Sequence, residues 1–325
     1  MQHTQRSRMS SRTRHASIST QMQRALRQCR KWHLFFSAFA VAAVLAISIA
    51  GADGPAPNRE FLRIGTSGCL TAGRDAAVEK AALDELRNLI KTETGLENQI
   101  VRQQGWRELA DKMTDGQLQL GIFQGYEFAW VQEQRPDFRP LALAVNVDRY
   151  PVVNMIARRD NPVHDFAGLE GHSLALADTG QRDLRLFVDR SSKANGKDPE
   201  SFFSKIIPED NFEDGLDDVV DNVVQTTVVD QATLEAYERR KPGRFRELKV
   251  VVRSQPLPPT VVAYPDKALN DATLRRLREG LLRASSSDKG QTVMGLFRLT
   301  GFDAVPADFE QVLAQARKAY PPVIR

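Results

Sequence analysis

The sequence reads as an α/β protein of two lobes, each a mostly parallel sheet flanked by helices, linked by two crossover segments. Three observations lead to that class. From Phe61 onward, short apolar strands alternate with amphipathic helices, the order that builds parallel-rich sheets. The pattern breaks near residues 146–151 and then starts afresh. A Pro-Leu-Pro-Pro run at 256–259 marks a second break, and the remaining C-terminal segment is too short to be a domain of its own.

Taken in order, residues 61–65 alternate as a strand. Residues 75–91 place Val78, Ala82, Leu86, Leu89 and Ile90 at helical spacing, and Gly95 closes that helix. Strands at 99–102 and 119–123 bracket a helix at 106–113, and a helix at 126–134 leads to a strand at 141–147. The second run has strands at 152–157, 173–177, 226–229 and 248–253. Helices fall at 183–190, 216–223 and 232–239, with a polar loop at 191–198. A strand at 261–264 and helices at 272–284 and 309–320 end the chain. The resulting division is lobe one at 60–147 plus 259–325 and lobe two at 148–258. A cleft between two such lobes is where α/β sheets hold ligands. One large doubly wound domain fits the same periodicity.

The first 52 residues stand apart. Eight of the 45 basic residues precede residue 53, where no acid occurs, so the rest of the chain is net negative by four. The sequence pI near 9.1 therefore belongs to the leader and implies no nucleic-acid partner. A basic stretch to Lys31, an uncharged apolar run from Leu34 to Ala50 and the small residues Ala50-Gly51-Ala52 have the layout of a secretory signal cleaved near Ala52. An internal start at Met22 gives that signal a basic segment of ordinary length. A retained membrane anchor is the alternative, because an uncharged run of 17 residues sits at the short limit for a span. Cys29 lies in the leader, so Cys69 is left as a lone thiol that reads as structural.

Catalytic and cofactor signatures are missing. No phosphate-cradling Gly-x-x-x-x-Gly-Lys loop and no Gly-x-Gly-x-x-Gly fingerprint occurs. Gly65-Thr66-Ser67-Gly68-Cys69 approaches a nucleophile elbow without its closing glycine. Beyond the leader only His164 and His172 remain, which argues against a zinc site. Glu209, Asp210, Glu213, Asp214, Asp217, Asp218 and Asp221 lack calcium-loop spacing and read as a solvated helix start. The expectation is a protein that is not an enzyme and uses no cofactor or metal.

The stretch Gly105-Trp106-Arg107-Glu108-Leu109, then Gly116 to Gly125, resembles a recurring piece of the phosphate/phosphonate-type periplasmic binding proteins of ABC importers. The strand from Tyr150 to Ala157, the Asp165-to-Gly171 turn, Val228-Val229-Asp230 and the tail Leu299-Thr300-Gly301-Phe302-Asp303 continue it in family order. The resemblance implies a type II periplasmic-binding fold over the whole mature chain. It also implies a small anionic or zwitterionic ligand and a membrane permease with its ATPase subunit as partners.

Carried over by position, the resemblance makes Trp106 a pocket aromatic, sets Gln124 and Tyr126 in a ligand-facing loop, and makes Asp230 and Glu213 the acids that meet the ligand. Trp106 as a core staple and Asp230 as a helix N-cap are the structural readings of the same residues. The family's hydroxyl-rich anion loop is replaced here by Gln181-Arg182-Asp183-Leu184, and its histidine before the second acid by Phe212. Arg182 suits an oxyanion by its guanidinium fork. The expected function is an exported solute receptor for phosphate, phosphonate or a related oxyanion. The alternative is a membrane-associated sensory or interaction module that kept the fold and changed or lost its ligand.

Overall fold

Amphipathic alternation becomes two mixed sheets in a computed structural model that describes residues 61–68, 76–177, 182–209 and 211–322. The leader, Cys69 and Gln181 lie outside those residues. The first stretch forms β1 (Leu62–Thr66), α1 (Ala76–Thr94), β2 (Asn98–Arg102), α2 (Trp106–Thr114), β3 (Leu120–Phe123), α3 (Gly125–Gln134) and β4 (Phe138–Val145). The second forms β5 (Val153–Arg158), β6 (Ser173–Ala177), α4 (Arg182–Ala194), α5 (Pro199–Phe202), β7 (Lys205–Glu209), α6 (Phe212–Val220), β8 (Thr226–Asp230), α7 (Gln231–Arg240), α8 (Pro242–Phe245) and β9 (Leu248–Arg253). The chain closes with β10 (Thr260–Pro265), α9 (Asp271–Arg283), α10 (Asp288–Leu296), β11 (Gly301–Asp303) and α11 (Phe309–Ala319).

The six-stranded sheet runs β11-β4-β10-β3-β1-β2. β1 pairs parallel with β2 and β3, whereas β10 lies antiparallel between β3 and β4, and β11 is antiparallel to β4. β1 to β4 therefore share one direction. The five-stranded sheet runs β7-β6-β8-β5-β9, with β6 parallel to β7 and β8, and β5 antiparallel to β8 and β9. β10 arrives from the second sheet without a crossover helix, so nothing requires it to run parallel to its neighbours.

Apolar faces explain the layers. On one side of the first sheet, Leu86 and Ile90 of α1 pack with Ile64, Ile122, Leu281 and Met294. On its other side, Leu109, Met113, Phe128 and Leu313 pack with Phe123 and Val261. The second sheet has its own cluster, including Met155, Leu174, Val188, Leu216, Val228 and Tyr237. The void beneath α1 and α9, lined by Leu86, Ile122, Leu281 and Phe302, is part of the first core and is lined by apolar residues only.

The described residues belong to one compact unit. The two segments joining the sheets lie side by side, with Leu257 N donating to Pro151 O at 2.9 Å. The tail, whose α11 packs with the first sheet, also reaches the second. Tyr320 joins the apolar cluster of the second sheet, and Arg190 of α4 donates to the Pro321 carbonyl.

Several elements differ from the sequence reading for identifiable reasons. β7 carries Pro208, which hides a strand in sequence and is tolerated because β7 is an edge strand. α4 runs on to Ala194, through residues expected to be loop, because Ser192 faces the core; the turn comes at Gly196, with φ 79°. α6 begins earlier than expected, at Phe212, where the Asn211 side chain accepts from the Glu213 and Asp214 backbone N–H groups. α10 was hidden by the helix-weakening Gly290 and Gly295.

Candidate functional site

The site is built at the carboxyl ends of strands from both sheets. β1 ends beside Ser67, β3 ends beside Gln124, β6 leads toward α4, and β8 ends at Asp230. Loops there are free of ladder pairing, which is why α/β sheets place their ligands at this edge.

Glu127 is the centre of the arrangement. It lies in the first turn of α3, where every residue from Gly125 to Val131 is buried. Its Oε2 accepts from the Ser67 hydroxyl at 2.6 Å and from the Gln124 backbone N–H at 3.1 Å. Oε1 faces Arg182 Nη1 at 3.5 Å, and the same nitrogen stands 3.5 Å from the Ser67 carbonyl. Arg182 belongs to α4 on the second sheet, whereas Glu127 and Ser67 belong to the first, so this contact joins the two. Burial pushes the Glu127 carboxyl above the usual range, against the opposing pull of Ser67, the Gln124 N–H and Arg182.

Asp183 is one of four described side chains, with Asn98, Asn154 and Ser192, that keep a sealed polar atom without a hydrogen bond. Its side chain keeps some exposure, yet Oδ1 is sealed from solvent and accepts no hydrogen bond. Burial first, then the charges of Glu127 and Asp230, push its carboxyl up to about 7. Asp230 is buried and caps α7 by accepting from Thr233 N at 2.6 Å. The structural reading of Asp230 is thus realised, in a position whose charge Asp183 feels.

Aromatic residues close one side. Trp130 packs against Trp106 with centroids 5.6 Å apart and against Tyr126 at 5.0 Å. Arg107 lies 4.4 Å over the Trp106 ring. Trp130 Nε1 donates to the Tyr320 carbonyl at 2.6 Å. The Tyr320 hydroxyl is pushed up to about 12 by burial and by the Asp183 charge, with a hydrogen bond to Ser254 opposing. Tyr320 therefore connects the aromatic group to the acids.

Of the residues expected from sequence, Gln124, Arg182 and Asp230 meet at this edge. Trp106 and Tyr126 join through Trp130. Gln124 also accepts from Thr260 Oγ1 at 3.4 Å. Glu213 is engaged elsewhere, paired with Arg240 at 2.6 Å and Lys241 at 2.7 Å at the far end of α7. Glu127, Trp130 and Tyr320 were missed. The available signal was a carboxylate inside the apolar run Gly125-Tyr126-Glu127-Phe128-Ala129-Trp130, because an ionisable group is seldom buried without a task.

Among the described residues no His, Cys, Asp and Glu cluster is placed to hold a metal ion, and no helix is long and apolar enough to cross a membrane. The profile described as ABC transporter, phosphonate, periplasmic substrate-binding protein matches residues 70–309. A search of curated protein sequences found no match. Among solved structures, a Xanthomonas citri protein bound to chloride aligns at 19% identity and TM-score 0.57, over 80% of this chain and 97% of that one. A Prochlorococcus marinus protein in complex with methylphosphonate aligns at 11% identity and TM-score 0.54, over 80% and 98%. The binding component of a Pseudomonas aeruginosa ABC phosphonate transporter aligns at 15% identity and TM-score 0.51, over 81% and 88%. Identities this low speak for the fold, and the profile speaks for the family. With two mixed sheets, paired connections and a polar centre at the strand ends, this chain belongs to the phosphonate-type periplasmic substrate-binding proteins of ABC transporters.

Proposed function

We propose that the chain is the exported solute receptor of an ABC-type importer, holding a small solute between lobes formed by residues 60–147 with 259–325 and by residues 148–258. The leader would direct export, and the loaded receptor would deliver its solute to a permease driven by an ATPase. The contact of Arg182 with Glu127 and Ser67 carries this reading, because it brings α4 of one sheet onto β1 and α3 of the other. A solute entering there touches both sheets at once, and the side-by-side connections near Pro151 and Leu257 form the hinge about which they turn.

The oxyanion expected from sequence meets a changed site. Arg182 is engaged by Glu127, and Asp183 stands in the first turn of α4, where the helix N-terminus would otherwise attract an anion. The receptor reading itself is independent of the charge of the solute. Scanning calorimetry against phosphonates, phosphate, sulfonates, carboxylates, amines and amino acids tests it, since a ligand that prefers the folded state raises its melting temperature. At least one solute class should raise Tm by several degrees. A chain unmoved by all of them is an interaction module that has kept the fold.

A further inference from the structure

We infer that the segment Tyr320–Pro321 is a third tether between the two sheets, a strap that limits how far the second sheet swings away from the first. This rests on the receptor reading and adds the element that bounds its hinge.

The sequence prepares the strap. α11 buries Phe309, Leu313 and Ala316 in the apolar layer of the first sheet, so the body of the helix is fixed there. Pro321 and Pro322 follow it directly. A proline has no N–H with which to continue a helix, and it drives the residue before it out of the helical region. Tyr320 accordingly ends α11 with φ −130° and ψ 66°. Chain leaving a helix carries carbonyls without intrahelical partners. Two in succession are taken here from opposite sides. Tyr320 O accepts from Trp130 Nε1 of α3 at 2.6 Å, and Pro321 O accepts from the Arg190 guanidinium of α4. The Tyr320 ring itself is buried in the apolar cluster of the second sheet.

The strap therefore has two anchors. The α11 body and Trp130 hold it to the first sheet, and the Tyr320 ring with Arg190 holds it to the second. It links the same two helices that meet at the candidate site, because α3 carries both Glu127 and Trp130, and α4 carries both Arg182 and Arg190. The two junctions differ in kind. At the site, one ion pair of 3.5 Å joins buried Glu127 to a partly exposed Arg182, a contact that an entering solute can displace. In the tail, a whole aromatic ring has to leave an apolar cluster before the sheets can part widely, and that exposes apolar surface to water. Breaking the site contact alone leaves α4 pivoting against α3 about the tail.

Small-angle scattering of the full-length chain, without any solute, tests the strap. Tyr320→Ala with Arg190→Ala cuts its anchor on the second sheet. Arg182→Ala cuts the site contact instead, and Phe166→Ala removes a comparable ring from the same apolar cluster without touching the tail. The doubly substituted chain should shift to a larger radius of gyration, while Arg182→Ala and Phe166→Ala stay as compact as the native chain. A lower melting temperature is expected of both ring truncations, so expansion is the property that separates a tether from packing alone. Should Tyr320→Ala fail to fold, Arg190→Ala by itself should give a smaller shift in the same direction. A strap variant as compact as the native chain overturns the proposal, and so does equal expansion from Phe166→Ala or Arg182→Ala. Because no solute enters this experiment, the receptor reading is left to the solute screen and fails or stands separately.

Discussion

The acids around Asp217 and the acids around Asp183 are assembled on opposite principles. Asp217 accepts from the Tyr237 hydroxyl at 2.7 Å and from Arg244 Nε at 2.6 Å, and it pairs with Lys241. Arg244 reaches on to Asp221 at 2.7 Å. Burial opposes ionisation of Asp217, but the bonds from Lys241, Tyr237 and Arg244 outweigh it and hold the carboxyl below its ordinary range. Asp183 has the burial without the bonds, and its carboxyl rises to about 7. Where the chain supplies its own cations, the cluster fastens α6, α7 and α8 together. Around Asp183 no such cation is supplied, and Oδ1 is left without a hydrogen bond.

The comparison breaks most visibly at Asp183. Its carboxyl ionises near pH 3.8 in an unfolded chain and near 7 in the fold, so between those values the folded chain keeps a proton that the unfolded chain has lost. This group's contribution to stability therefore falls as pH rises through that window, and its cost is complete above pH 7. Asp183→Asn removes that cost. It should stabilise the unliganded chain by on the order of 2–4 kcal/mol at pH 8, with the gain fading as pH falls toward 4. Tm measured across pH for both chains checks this. The charges of Glu127 and Asp230 act on the group, and its own charge acts on Tyr320. A variant destabilised equally at pH 5 and pH 8 would show that Asp183 is satisfied by the fold.

The opposite sign is expected at Asp217. Asp217→Asn strips the charge from a carboxylate with three donors and should cost about 1–3 kcal/mol, read as a lower Tm at neutral pH. The smallest effect sharpens the contrast from outside both clusters. Arg185, one turn beyond Arg182, pairs with Asp189 and Glu200 in solvent. Arg185→Ala should stay within about 1 kcal/mol of native stability.

Legibility in the sequence followed the same division. The strand–helix order was readable because burial imposes periods of two and 3.6 on apolar residues. β7 escaped because Pro208 masks an edge strand, and β11 because three residues carry little period. Acid density drew attention to residues 209–221, where acids are numerous because α6 faces cations of α7 and α8. The acids of the candidate site are single residues far apart in the chain, brought together by the strand ends. Glu127 looked like part of an apolar helix, and Asp183 looked like a neighbour of Arg182. Its lack of a partner is a property of three dimensions, since it depends on Arg182 turning to Glu127 instead.

Hydrogen exchange of the native chain with and without 2-aminoethylphosphonate tests the central claim most directly, because a ligand that bridges two sheets slows exchange on both. Protection is expected together at Leu62–Thr66 with Ser67, at the start of α3 around Glu127, and in the first turns of α4. The Asp217 region of α6 to α8 should exchange as before. Protection confined to one sheet, protection centred on α6 to α8, or no protection at all would contradict the account.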